Sequence, residues 1–231
     1  MIESLENSKI KFLLKFKLSK YRKSEQKFIC EGAHLVQEAR NAGLLIEAYS
    51  LEDKEGYIQV SVPVMKKLCN TDTVVSEIGL CKMKENIKIT DKILILDGIQ
   101  DPGNMGSLMR SACAFGFKTL FIGTGSVDIF NDKVIRSSQG AIFKLNYQFG
   151  DISEFLNKIT HKVYTTNVLE GIPLKEIKAE DKVAVILGNE GNGVSKELQA
   201  LELDAIYIPM QNTESLNVAI AGSIIMYELS K

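Results

Sequence analysis

The chain of 231 residues has no tryptophan, only two histidines, His34 and His161, and only four prolines. Four cysteines, Cys30, Cys69, Cys81 and Cys113, are scattered without paired metal-ligand spacing, and only those two histidines are available to join them. A zinc or other metal site is therefore not expected, and reduced thiols place the protein in the cytoplasm. No run is long and apolar enough to cross a bilayer. The N-terminus, Met1-Ile2-Glu3-Ser4-Leu5-Glu6, is acidic and polar where a secretory signal would be basic and then apolar, so no membrane partner is expected. The dinucleotide fingerprint Gly-x-Gly-x-x-Gly is missing, as is any Gly-Lys-Ser/Thr phosphate loop, which sets dehydrogenase and triphosphatase readings back. No serine, cysteine and histidine set points to nucleophilic hydrolysis either, since His34 lies in a different domain from the glycine-rich loops and His161 merely precedes a strand.

What is present is an ordinary soluble composition, 45% hydrophobic and 25% charged, enough for one large or two modest cores. A formal net charge of -1 argues against a generally basic nucleic-acid binder, but its distribution is uneven. Between Lys9 and Lys27 eight basic residues, among them Lys15, Lys17, Arg22 and Lys23, face the single acid Glu25, with Phe12, Phe16 and Tyr21 interleaved. Such a stripe suits phosphate contacts and stacking on RNA. It equally suits an amphipathic helix whose Ile10, Leu13, Leu14 and Leu18 pack inward while the lysines stay solvated.

Residues 1–80 alternate short helical and strand patterns: the basic helix, strand Phe28–Cys30, a helix from Glu31 to Asn41, strands Leu45–Ser50 and Tyr57–Ser61, and a helix Val64–Leu68. The lysine-rich stretch Lys82–Asp91 lacks periodicity and reads as a linker. Two domains follow, residues 1–90 and 91–231. From Lys92 strands and helices alternate, with strands at Ile93–Leu96, Thr119–Ile122, Val163–Thr166, Val183–Leu187 and Ala205–Ile208. Helices are expected at Ser107–Phe115, Asp132–Ser138, Ile152–Ile159 and Ser215–Leu229. That order predicts an α/β fold with a parallel sheet covered on both faces.

Three loops stand at the carboxyl ends of such strands, where open α/β sheets place ligand crevices. The first runs Asp97-Gly98-Ile99-Gln100-Asp101-Pro102-Gly103-Asn104-Met105-Gly106. The second is Gly188-Asn189-Glu190-Gly191-Asn192-Gly193, and the third Pro209-Met210-Gln211-Asn212-Thr213-Glu214-Ser215. Ser215 stands where a helix needs a capping oxygen. Ser107, Arg110 and Ser111 form a polar stripe on an otherwise apolar helix, where an obligatory cation could meet an anionic substrate or sit idle at the surface.

Together these loops resemble the three motifs of the SpoU, or TrmH, family of RNA ribose methyltransferases in the SPOUT superfamily. Asp101-Pro102-Gly103-Asn104-Met105-Gly106 with Arg110 is similar to the first, Leu187-Gly188-Asn189-Glu190-Gly191-Asn192-Gly193 to the second, and Ile208-Pro209-Met210 with Ser215-Leu216-Asn217-Val218 to the third. The run from Phe28 to Val36 resembles the family's substrate-binding domain, a small fold similar to a ribosomal protein. The resemblance implies a deep trefoil knot in the C-terminal domain and a homodimer whose partner chain completes the site. It implies S-adenosylmethionine as cofactor, held by Leu187, Gly188, Asn189 and Gly193 in the second motif and by Ile208, Met210, Ser215, Leu216 and Asn217 in the third, with Thr166 on a neighbouring strand. It makes Arg110 the leading catalytic residue, supported by Asn104, Glu190, Ser215 and Asn217, and adds Arg110 to Lys15, Lys17, Arg22 and Lys23 as RNA contacts. Ribosomal RNA is favoured as substrate. Transfer RNA ribose methylation, base methylation and a non-catalytic RNA-binding role are the alternatives.

Overall fold

The computed structural model describes residues 1–85, 88–178 and 180–231; Asn86 and Ile87, inside the expected linker, lie outside the described residues. The chain divides into two units, one of residues 1–85 with 128–143, the other of residues 86–127 with 144–231.

The first unit carries α1 (Ser8–Lys15), α2 (Ser19–Glu25), β1 (Lys27–Glu31), α3 (Ala33–Asn41), β2 (Leu45–Ser50), β3 (Ile58–Gln59), α4 (Val62–Leu68) and β4 (Glu77–Lys82). Its sheet has the order β1-β4-β2-β3. β4 pairs antiparallel with both β1 and β2. The sequence pattern missed β4, because Gly79 and the charged ends Glu77 and Lys82 hide a strand that is buried over most of its length. The basic stripe is two short helices and not one. Ile10, Leu13 and Phe16 enter a core with Tyr49, Val64 and Met65, whereas Leu18, expected inside, is exposed ahead of α2.

The second unit begins with β5 (Lys92–Leu96), α5 (Pro102–Ala114) and β6 (Thr119–Gly123). The chain then supplies α6 (Asp132–Ser138) to the first unit, where Phe28 of β1 packs between Phe130 and Phe143 at ring-centroid distances of 4.8 and 5.9 Å. It returns with β7 (Asn146–Gly150), α7 (Ile152–Leu156), β8 (Lys162–Thr166), β9 (Ile172–Pro173), β10 (Val183–Leu187), α8 (Lys196–Gln199), β11 (Asp204–Tyr207) and α9 (Val218–Glu228). The seven strands form a sheet of order β7-β6-β5-β10-β8-β11-β9 in which every pairing is parallel. Fully apolar β10 is a central strand, paired with β5 and β8 and buried throughout. One face of the sheet, with Ile93, Ile95 and Ile186, packs on Phe155 of α7 and Leu198 of α8. On the other, Gly222 of α9 lets that helix approach Leu108 of α5 and Leu187 of β10 closely; a methyl group there would lie 2.5 Å from both side chains. The two-residue β9 and the polar-ended β7 carry too little pattern to be read from sequence. No helix among the described residues is long and apolar enough to cross a membrane.

Candidate active site

Three loops, hydrogen-bonded to one another, follow the carboxyl ends of β5, β10 and β11. α5 starts five residues before the expected Ser107, because Asp101 caps it, accepting a hydrogen bond from the Asn104 N–H at 2.8 Å, and Pro102 opens its first turn. α9 starts later than expected. Its cap is Asn217, whose side-chain oxygen accepts from the N–H groups of Ala219 and Ile220 at 2.9 and 3.3 Å; Ser215 does not cap it.

That cap fixes the rest of the polar chain. With its oxygen on the helix, the Asn217 amide donates to Asn104 Oδ1 at 2.9 Å, and the Asn104 amide donates to Glu190 Oε1 at 3.1 Å. Glu190 also accepts from the main-chain N–H groups of Asp101 at 3.0 Å and Gln100 at 3.2 Å. Partial burial pushes its pKa up, but these hydrogen bonds outweigh it and hold the carboxyl below the usual glutamate value. The second loop is bound to the first again by Asn189, whose amide donates to the Gly98 carbonyl at 2.8 Å while its oxygen accepts from Gly191 and Asn192. Gly188 has no room for a side chain: a Cβ would lie 2.1 Å from the Gly193 carbonyl carbon.

Beside this chain opens a cavity of about 410 Å³, within the range of small-molecule sites. Leu187, Gly188, Asn189, Gly193 and Glu190 line it from the second loop, Ile208, Met210, Ser215 and Leu216 from the third, and Thr166 from β8. Sequence reasoning missed Glu214, Asn167 and Val168, which line it too. Asn217 is turned away into the polar chain. Among the described residues the cavity's charged side chains are all carboxylates, with no lysine, arginine or histidine on its wall.

Arg110 stands apart. It is exposed on α5, does not line the cavity, and has no hydrogen-bond or ion-pair partner among the described residues. The expected stripe beside it is shortened, since Ser111 shares a 2.7 Å hydrogen bond with Ser223 of α9. In the first unit Lys15 and Lys23 are exposed, and Lys17 donates to the Cys69 carbonyl at 2.8 Å. Arg22 is not an exposed cation like Lys15 and Lys23: it is 8% exposed, pairs with Asp128 at 2.6 Å and donates to the Phe16 carbonyl at 2.8 Å.

Residues 91–227 match the SpoU rRNA Methylase family and residues 7–75 the MRM3-like substrate binding domain. The chain belongs to the SpoU rRNA methylase family. It is 33% identical to the 23S rRNA (guanosine(2553)-2'-O)-methyltransferase RlmP of Bacillus subtilis over 99% of this chain and 98% of that one. A crystal structure of an RNA 2'-O ribose methyltransferase superimposes with a TM-score of 0.79 at 29% identity, covering 99% of this chain and 97% of its own. The rRNA methyltransferase of Sinorhizobium meliloti, crystallised with AdoMet bound, shares the fold at a TM-score of 0.87 and 23% identity, over 99% and 96% of the two chains. Among the described residues no group of three or more histidine, cysteine, aspartate or glutamate side chains could hold a metal ion.

Proposed function

We propose that this protein transfers a methyl group from S-adenosylmethionine to a ribose 2′-hydroxyl of ribosomal RNA. The observation that carries the reading is the hydrogen-bonded chain Asn217–Asn104–Glu190 beside a cavity whose charged side chains, among the described residues, are carboxylates. A wall without cations among the described residues suits a net cationic ligand whose sulfonium and ammonium outweigh its one carboxylate; it does not suit one that carries several phosphate charges. Relatedness to an enzyme named for 2'-O-methylation of 23S rRNA supports the substrate.

When bound, the cofactor supplies a methyl group made electrophilic by its sulfonium, so the protein's own task is placement. Gly188 and Gly193 would bring main-chain groups against it, with Leu187, Ile208, Met210 and Leu216 as apolar walls and Thr166, Asn189 and Ser215 as polar ones. Asn104, held between Asn217 and Glu190, keeps the first loop fixed against the second while the ribose is aligned. Arg110 clamps the neighbouring phosphate and stabilises the alkoxide that develops as the 2′-hydroxyl gives its proton to solvent water and the methyl's bond to sulfur passes to oxygen; a guanidinium resists deprotonation and does not serve as the base.

The same reading includes a homodimer whose second copy completes the site. Its support is the position of Arg110 outside the cavity of its own chain, and the apolar face that α9 leaves exposed at Ile220, Ile224 and Tyr227. It includes a trefoil knot in residues 91–231, supported by family membership, and a ribosomal-protein-like substrate-binding domain in residues 1–90, presenting Lys15, Lys17 and Lys23 to RNA in the cytoplasm. Comparing ribose-methylation maps of total RNA from cells with and without the gene tests the function. One ribosomal 2′-O-methyl position should vanish with the gene; maps that do not differ would refute the reading.

A further inference from the structure

The two carboxylates that line the cavity are used differently. Glu190 is spent on the loops: Oε1 accepts from Asp101 and Asn104, and Oε2 from Gln100. Glu214, in the loop between β11 and α9, lines the same cavity yet has no hydrogen-bond or ion-pair partner among the described residues. The adjacent Thr213 hydroxyl turns away from it and donates to the Ser215 carbonyl at 3.2 Å. An exposed loop acid is ordinarily just solvated. Here, however, it borders a concave site that has, among the described residues, no cation on its wall and no other uncommitted carboxylate, so a positive charge on the occupant has Glu214 as its counterion.

We propose that Glu214 is a specificity-determining residue that recognises the positive charge, sulfonium or α-ammonium, of the cofactor's amino-acid arm. The proposal rests on the S-adenosylmethionine reading and deepens it. S-adenosylmethionine carries a sulfonium, an α-ammonium and an α-carboxylate and is a net cation; its demethylated product, S-adenosylhomocysteine, keeps the ammonium and carboxylate and is neutral overall; methylthioadenosine has none of the three. A carboxylate beside the sulfonium would favour substrate over product and so assist product release, whereas one beside the ammonium would hold both alike. In either case it would reject the uncharged fragment.

Calorimetry on the full chain, wild type and Glu214→Gln, with these three ligands tests the assignment. Glutamine keeps the shape and removes the charge, and the exposed position leaves the unliganded fold unaffected. Affinity for S-adenosylmethionine should fall about tenfold, the scale of one charge-assisted hydrogen bond, with methylthioadenosine unchanged. A parallel loss for S-adenosylhomocysteine assigns the contact to the ammonium, and no loss assigns it to the sulfonium. The difference between wild type and variant should shrink as salt is added. Unchanged affinity for S-adenosylmethionine, or equal weakening of all three ligands, overturns the proposal. Failure of the wild-type chain to bind S-adenosylmethionine at all would overturn the cofactor reading beneath it, an outcome distinct from either.

Discussion

At the scale of single residues, charge placement separates chemistry from architecture. Replacing Arg110 with alanine should lower methyl transfer by roughly 10²–10³-fold or more while S-adenosylmethionine affinity, measured by calorimetry, stays near wild type, because the side chain touches neither the cavity nor the core. Arg110→Lys divides the roles: partial activity would favour electrostatics, and complete loss would favour the bidentate geometry of the guanidinium. Glu190 has a lowered pKa, so its hydrogen bonds stabilise the loops above the ordinary glutamate range and are lost as pH falls through the depressed value. Its NMR titration midpoint should lie below 4.5 and move upward in Asn104→Ala, which removes a hydrogen bond to the charged form. A midpoint that does not move would show that Asn104 does not hold the carboxylate. Burial pushes the Asp128 pKa up, but Arg22, the Phe130 N–H and Ser19 together hold it below the usual value. Asp128→Ala leaves Arg22 buried without its counterion and should cost about 3 kcal/mol in urea unfolding, an effect that fades at acid pH where Asp128 is itself protonated. The motif residues were legible because loops at strand ends announce a site. The fate of Arg22 was not, since its partner lies 106 positions away.

At the scale of elements, the site depends on where helices start. Ser215 before an apolar run reads as a cap, and only the structure shows that Asn217 takes that place and so aims its amide at Asn104. A proline, two glycines and an asparagine likewise disguise the first turn of α5 as loop. The apolar runs of strands β5 and β10 were plain in sequence. β4, which joins β1 and β2, was not, because its pairing is set by contacts distant in sequence. Gly188→Ala should be severe for a reason the pattern cannot supply. Its Cβ would meet main-chain atoms of Gly193 and Val194 near 2.1 and 2.2 Å, so the second loop must shift as a whole. Cofactor binding should disappear in calorimetry, with a loss of about 2–4 kcal/mol in stability. Retained binding would mean that the loop is more compliant than this packing implies.

At the scale of the whole molecule, a parallel sheet builds the cavity and a smaller unit, completed by residues 128–143, carries the exposed lysines. That later segment's place in the first unit was invisible in sequence, where the domain border falls once, near residue 90. Exposure of Ile220 and Tyr227 at 53% and 52% on one helix is costly for a lone chain, and light scattering should report a dimer that Ile220→Lys with Tyr227→Lys converts to monomer, with loss of activity. A wild-type monomer that is fully active would remove the second copy from the mechanism. The proposed reaction puts the methyl group on a ribose oxygen. Purified protein, S-adenosylmethionine and unmethylated 23S rRNA should yield an alkaline cleavage ladder with a single missing step, because a 2′-O-methyl group removes the nucleophile that cuts the adjacent phosphodiester. An unbroken ladder, with the transferred methyl recovered on a base or not transferred at all, would contradict the account.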